Sequence, residues 1–269
     1  MATGDGTETG IDRSKRVTFD RVAADYDATR PRYPEELIEA VIALSGIPDG
    51  GRILEVGPGP GNATLPFARR NYRMTCIELG AQLAALARAN CRPYPQVEII
   101  TGAFEDWPLQ SRAYDLFLSA EAFHWIPPEI GYPKAAAALK KGGSAALFWI
   151  LSQESADDLF QAIDDLFEAW SPQISAPERK ITPEWLVPII TKNIEQSNAF
   201  NPVTVQQFAW SGSYSGERYA RLLGTMSANQ LETGEKRRFL AEITATVDRF
   251  GGRITVPFLS VLFHARVRG

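Results

Sequence analysis

Ten residues, Arg-Ile-Leu-Glu-Val-Gly-Pro-Gly-Pro-Gly at positions 52–61, constrain this chain more than any other stretch. Ile53, Leu54 and Val56 form an aliphatic run with almost no polar relief, the pattern of a strand buried on both faces of a parallel sheet. It reads as the central strand. Gly57, Gly59 and Gly61 follow at once, and residues 62–70 carry a helical pattern, so the glycines fall where the chain must turn sharply and approach a ligand closely. A helix beginning near Asn62 aims unpaired N–H groups and its positive dipole end back at the loop, which favours a carboxylate or phosphate there. The loop, with Glu55 before it and Pro58 inside it, is a candidate cofactor site.

Spacing narrows the cofactor. A dinucleotide fingerprint, G-x-G-x-x-G, needs its third glycine at position 62, where this chain has Asn62; the glycines run G-x-G-x-G. That weakens a nicotinamide-dependent oxidoreductase, kept here as an alternative. A second apolar run, Tyr72 to Ile77, ends in Glu78, where a carboxylate at the tip of the neighbouring strand can take both hydroxyls of a ribose. In order, E-V-G-P-G-P-G, then C-I-E-L-G at 76–80, then Y-D-L-F-L-S at 114–119 resemble the successive strand ends of class I S-adenosylmethionine-dependent methyltransferases.

That resemblance implies an α/β fold: a Rossmann-like, doubly wound sheet of seven strands whose last strand is antiparallel and inserted beside the fifth. It also implies S-adenosylmethionine as cofactor, held by Glu55, Gly57, Pro58, Gly59, Gly61 and Glu78, with Ser119 at the end of the fourth strand. The phrase T-G-A-F-E-D-W-P-L at 101–109 resembles the family's G-D-A-x-x-L-P-F. One residue departs from it. The family's aspartate, which accepts from the adenine amino group, falls on Ala103, leaving that bond to Glu105, to Asp106, to water, or unmade. Phe104 then implies a backbone N–H and an apolar wall for the purine, and Leu79 the opposite wall.

Residues 19–34, F-D-R-V-A-A-D-Y-D-A-T-R-P-R-Y-P, resemble the amino-terminal segment of small-molecule methyltransferases of the trans-aconitate type. In that group the segment folds over the cofactor, so Tyr26, Arg30, Arg32 and Tyr33 become candidates for contacting the acceptor or the methionine end. Arginine suits bidentate capture of a carboxylate. His124 and Trp125, just beyond the fourth strand, stand on the side where open α/β sheets bind ligands. His124 is the candidate catalytic residue, able to orient or deprotonate an acceptor. His264, in the apolar run near the carboxyl end, reads as structural.

Composition sets the outer bounds. A net charge of −4 argues against nucleic acid as a partner. Cys76 and Cys91 fit no zinc or redox spacing, the two histidines lie far apart, and no metal site follows. Nothing resembles a signal peptide or a spanning helix, so the expectation is a cytoplasmic protein without a membrane partner. Residues 1–14 read as a disordered tail, 15–151 as cap helices and cofactor-binding core, 152–200 as a helical lid, and 201–269 as the completion of the sheet. Within the core, a helix is expected over 133–140, capped by K-G-G before a strand over 144–150. The function expected is methyl transfer to a small molecule, a carboxylic acid being one candidate acceptor and a hydroxyl, deprotonated by His124, another. A protein that binds the cofactor without turnover is the other alternative, because of Ala103.

Overall fold

The alternation of apolar runs and helical stripes resolves, in the computed structural model, into one seven-stranded sheet among the described residues, which are 13–170, 181–226 and 231–268. The expected tail lies, through residue 12, outside the described residues, as do residues 171–180 of the 152–200 segment. The strands are β1 (Arg52–Val56), β2 (Arg73–Glu78), β3 (Val97–Thr101), β4 (Tyr114–Ala120), β5 (Leu139–Ser152), β6 (Thr204–Ser215) and β7 (Arg253–Arg266). Their order is β3-β2-β1-β4-β5-β7-β6, with β1 to β5 parallel and β7 antiparallel to both its neighbours. The doubly wound sheet and its antiparallel last strand agree with expectation.

Successive side chains of β1 point to opposite faces. Leu54 and Val56 therefore join one core with Phe117, Leu147 and Phe263, while Ile53 joins the other with Leu116, Leu118 and Phe148. Both faces are covered by helices. Helix α2 (Glu35–Ser45) and α3 (Thr64–Arg69) bury Leu37, Ile38, Val41 and Phe67 on the Ile53 side. Two acids occupy the first turn of α2, complementing its dipole, and Gly46 in the left-handed region (φ 60°) ends it. Helices that follow in the chain, α4 (Ala81–Cys91) and α5 (Pro128–Ala138), return across the sheet after β2 and β4.

Residues 152–200 contribute two helices that pack in different places. Helix α6 (Asp158–Trp170) sends Leu159, Phe160, Ile163 and Phe167 into a third apolar cluster, shared with α8 (Gly216–Gly224), α9 (Thr233–Arg249) and the adjoining ends of β6 and β7. Helix α7 (Pro183–Gln196) instead buries Leu186, Ile190 and Ile194 in the core on the Leu54 side. A short helix, α1 (Ala23–Thr29), and the 3-10 segment Arg13–Val22 precede the sheet.

Two boundaries differ from expectation. The helix expected at 133–140 runs Pro128–Ala138, with Pro128 at its start and Pro133 inside it. Proline favours a first turn because its missing N–H is an orphan there anyway, and two prolines compete for that position; the earlier one takes it. The strand expected from Ser144 begins at Leu139, because Leu139 pairs with Tyr114 before a register shift. Gly142 and Gly143 lie within this irregular stretch rather than capping a helix. Because β1, β2, β4 and β5 are parallel, their carboxyl ends share one edge of the sheet, and the candidate residues collect there.

Candidate functional site

At the end of β1 the backbone makes the turn that the glycines foretell. Gly57 has φ 70° and donates its N–H to the Ile77 carbonyl at 2.9 Å; a Cβ there would stand 2.3 Å from that of Ala122. Gly59 (φ 58°) donates to Glu78 Oε2 at 2.9 Å, while Glu78 Oε1 accepts from Gly80 N–H at 2.9 Å. Glu78 therefore faces the glycine turn. Its carboxyl is pushed up by burial, against the pull of the Gly80 and Gly59 N–H groups, and each oxygen keeps lone-pair capacity for another donor.

Beneath the turn, Glu55 is fully buried. Thr64 donates its hydroxyl to Glu55 Oε2 at 2.7 Å and the Cys76 thiol lies 3.5 Å from the same oxygen. Oε1 has no hydrogen-bond partner among the described residues. Burial raises this carboxyl to about 7, only partly offset by Thr64 and Cys76. A buried acceptor without a donor normally costs free energy, so a site for a donor is left at the base of the loop.

The 101–109 phrase forms a turn in which the Ala103 carbonyl accepts from Asp106 and Trp107. Phe104 is 2% exposed and stacks on Trp107, with Lys134 5.3 Å above its ring. Glu105 is ion-paired with Arg16. Half-buried Leu79 follows Glu78. Ser119 is buried and donates to the Val56 carbonyl at 2.7 Å, tying β4 to β1.

The amino-terminal segment lies across this edge. Asp20 Oδ1 accepts from the N–H groups of Gln82 (2.8 Å) and Leu83 (2.9 Å), closing the first turn of α4. Phe19 meets Tyr26 and Trp125 edge-on at centroid distances of 6.2 and 5.8 Å, and a Cβ on Gly59 would lie 3.8 Å from the Tyr26 ring. Arg30 sits over that ring at 4.6 Å. Tyr33 packs edge-on against Phe148, while Arg32 donates to Asn62 Oδ1 and lies 3.6 Å from Asp27. Thus Tyr26, Arg30, Trp125 and the glycine turn come together, whereas Tyr33 is anchored in the packing on the Ile53 side.

Three participants escape a reading of the sequence. Glu121 follows β4 with φ 55°, rare for a residue with a side chain, and accepts weakly from Ile150 N–H at 3.4 Å. Burial pushes its carboxyl up and Arg30 pulls it down. Trp149, on β5, donates its indole N–H to His124 Nδ1 at 3.0 Å. That bond holds the neutral ring with its proton on Nε2, making Nε2 a donor. Asp20 is the third; nothing local in F-D-R-V distinguishes a remote helix cap from a solvated acid. Beside Arg30 and Glu121, a cavity of about 210 Å³ opens between the end of β5, α6 and α8.

Residues 53–143 match the family model described as a methyltransferase domain. An uncharacterized methyltransferase of Mycobacterium tuberculosis is 25% identical over 203 residues, covering 75% of this chain and 79% of that protein. The trans-aconitate 2-methyltransferase of Variovorax paradoxus is 32% identical over 123 residues, 45% of this chain and 46% of its own. Among solved structures, a candidate type II methyltransferase from Anaeromyxobacter dehalogenans superposes with a TM-score of 0.60 at 21% identity, covering 88% of this chain and 97% of that one.

Proposed function

We propose that the protein transfers a methyl group from S-adenosylmethionine to a small-molecule acceptor, a reading supported by the match of residues 53–143 to the methyltransferase-domain family model and by the sheet order β3-β2-β1-β4-β5-β7-β6. The observation that carries the reading is the Glu78 carboxylate turned onto the Gly59 N–H, at the shared edge of β1 and β2. In this reading Glu78 accepts from the ribose hydroxyls and Glu55 Oε1 takes the donor it lacks, an ammonium group of the amino-acid end. Both fit a sulfonium nucleoside better than a dinucleotide, because Asn62 stands where the third glycine would be.

When bound, the cofactor supplies a methyl group already activated by its positive sulfur. The chain's remaining task is to orient an acceptor and exclude water. Phe19, Tyr26 and Trp125 provide an aromatic cover for that purpose. His124, held as the Nε2–H form by Trp149, serves as a hydrogen-bond donor that orients the acceptor rather than as a base. A carboxylic acid acceptor is supported by the trans-aconitate relative and by Arg30.

Calorimetry tests the reading. S-adenosylhomocysteine should bind and NAD should not, and Glu78→Ala should weaken the former by about a hundredfold, the worth of two hydrogen bonds to a charged group. Equal affinity of the Glu78→Ala and parent proteins would overturn the assignment.

A further inference from the structure

With the ribose on Glu78 and the amino-acid end over Glu55, the strand order β3-β2-β1 leaves the purine one place, beyond the end of β3. Thr101 pairs with Glu78 there, and Gly102 N–H donates to the Glu78 carbonyl at 2.8 Å, so the turn that begins at Gly102 borders the base. The acceptors of that turn are already engaged. The Ala103 carbonyl accepts from Asp106 N–H (3.2 Å) and Trp107 N–H (3.1 Å), and the Phe104 carbonyl from Trp107 N–H at 3.3 Å. Lys134 Nζ donates to the carbonyls of Glu105 (2.8 Å) and Trp107 (2.6 Å). The Glu105 carboxylate is ion-paired with Arg16, and Asp106 is exposed. At position 103 the side chain is a methyl group. A Cβ on Gly102 would meet nothing within 4 Å, so the turn is open beside Ala103.

We infer that this chain reads the cofactor's purine by its ring and not by its 6-amino group, which stays hydrated at the open edge of the turn, and that Ala103 sets this tolerance. The inference rests on the S-adenosylmethionine reading. A site rejects a ligand that lacks a hydrogen-bonding group when a buried protein group is thereby left without its partner. Nothing is stranded in that way here, because the carbonyls of the turn keep their internal donors, Glu105 keeps Arg16, and Asp106 keeps water. Loss of the amino group only returns a water to bulk, at little cost. What grips the base is apolar: buried Phe104, stacked on Trp107, on one side and half-buried Leu79 on the other. Lys134 ties the turn that carries Phe104 to α5, so the wall is fixed while the amino edge is bare.

Calorimetry with two thioethers that differ only at purine position 6, S-adenosylhomocysteine and its 6-deamino counterpart, tests the inference, since both keep the ring and its N1 acceptor. The parent protein should bind the two within about threefold of each other. Ala103→Asp sets a carboxylate at the half-buried position and should create a preference of about tenfold or more for the 6-amino ligand, the worth of a hydrogen bond to a charged acceptor. A preference of that size already present in the parent would overturn the inference, as would an Ala103→Asp protein that binds S-adenosylhomocysteine but gains no selectivity. The parent's ratio needs no variant, so it decides the matter even if Ala103→Asp folds poorly. Failure of S-adenosylhomocysteine to bind at all sinks the methyl-transfer reading and this inference with it. Tight binding that depends on the 6-amino group removes the inference alone.

Discussion

Replacing Glu55 with glutamine removes an ionisable proton from a fully buried site while keeping a carbonyl oxygen for the Thr64 hydroxyl. Burial raises the Glu55 carboxyl from 4.5 to about 7. At roughly 1.36 kcal/mol for each unit of difference between folded and unfolded chains, ionising it in place costs about 3 kcal/mol. No allowance for solvent screening applies, because the side chain has no exposure. The sign follows from proton uptake: between about 4.5 and 7 the folded protein holds a proton that the unfolded chain has released, so this contribution to stability is complete below 4.5 and is lost as pH rises through 7. The Glu55→Gln protein lacks the loss. Urea unfolding followed by tryptophan fluorescence, at pH 5 and pH 8, should show the variant gaining about 3 kcal/mol relative to the parent between the two conditions. Saturating S-adenosylhomocysteine should narrow that gap, since an ammonium against Oε1 stabilises the ionised form. Parallel pH profiles for the two proteins would refute both the burial argument and the role given to Glu55.

Gly57→Ala forces a side chain into the left-handed region and against Ala122, and thermal unfolding should report a loss of roughly 2–4 kcal/mol. Asp20→Ala removes the acceptor at the start of α4, costing about 1 kcal/mol, and should speed tryptic cleavage at Arg16 and Arg21 in a way that S-adenosylhomocysteine suppresses. His124→Ala should lower kcat by roughly tenfold, the worth of one orienting hydrogen bond, with the pH profile unchanged. A fall beyond about a hundredfold together with a lost acidic limb in that profile would make His124 a base after all.

Much of the frame was legible because it depends on patterns that local sequence carries. The aliphatic run of β1, the glycines that only an unusual backbone requires, and a carboxylate at the end of β2 each announce themselves within a few residues. Boundaries were less legible where two prolines could both open α5, and where β5 starts before its glycines rather than after them. Phe104 and Ser119 illustrate a different limit. Their positions beside the loop follow from the motifs, but only packing reveals that the Phe104 ring is stacked on Trp107 and the Ser119 hydroxyl is spent on Val56.

Sequence alone determined the parallel sheet, the glycine turn and the acid beside it, because buried strands and left-handed turns restrict which residues can occupy them. Tertiary structure decided what gathers beyond the carboxyl ends of β4 and β5. Trp149 reaches His124 across 25 positions, Arg30 and Glu121 meet from separate elements, and the acids of α6 line a cavity whose apolar wall comes partly from α8. The wall of that cavity is assembled from residues brought together only by folding, and no local spacing encodes such an assembly.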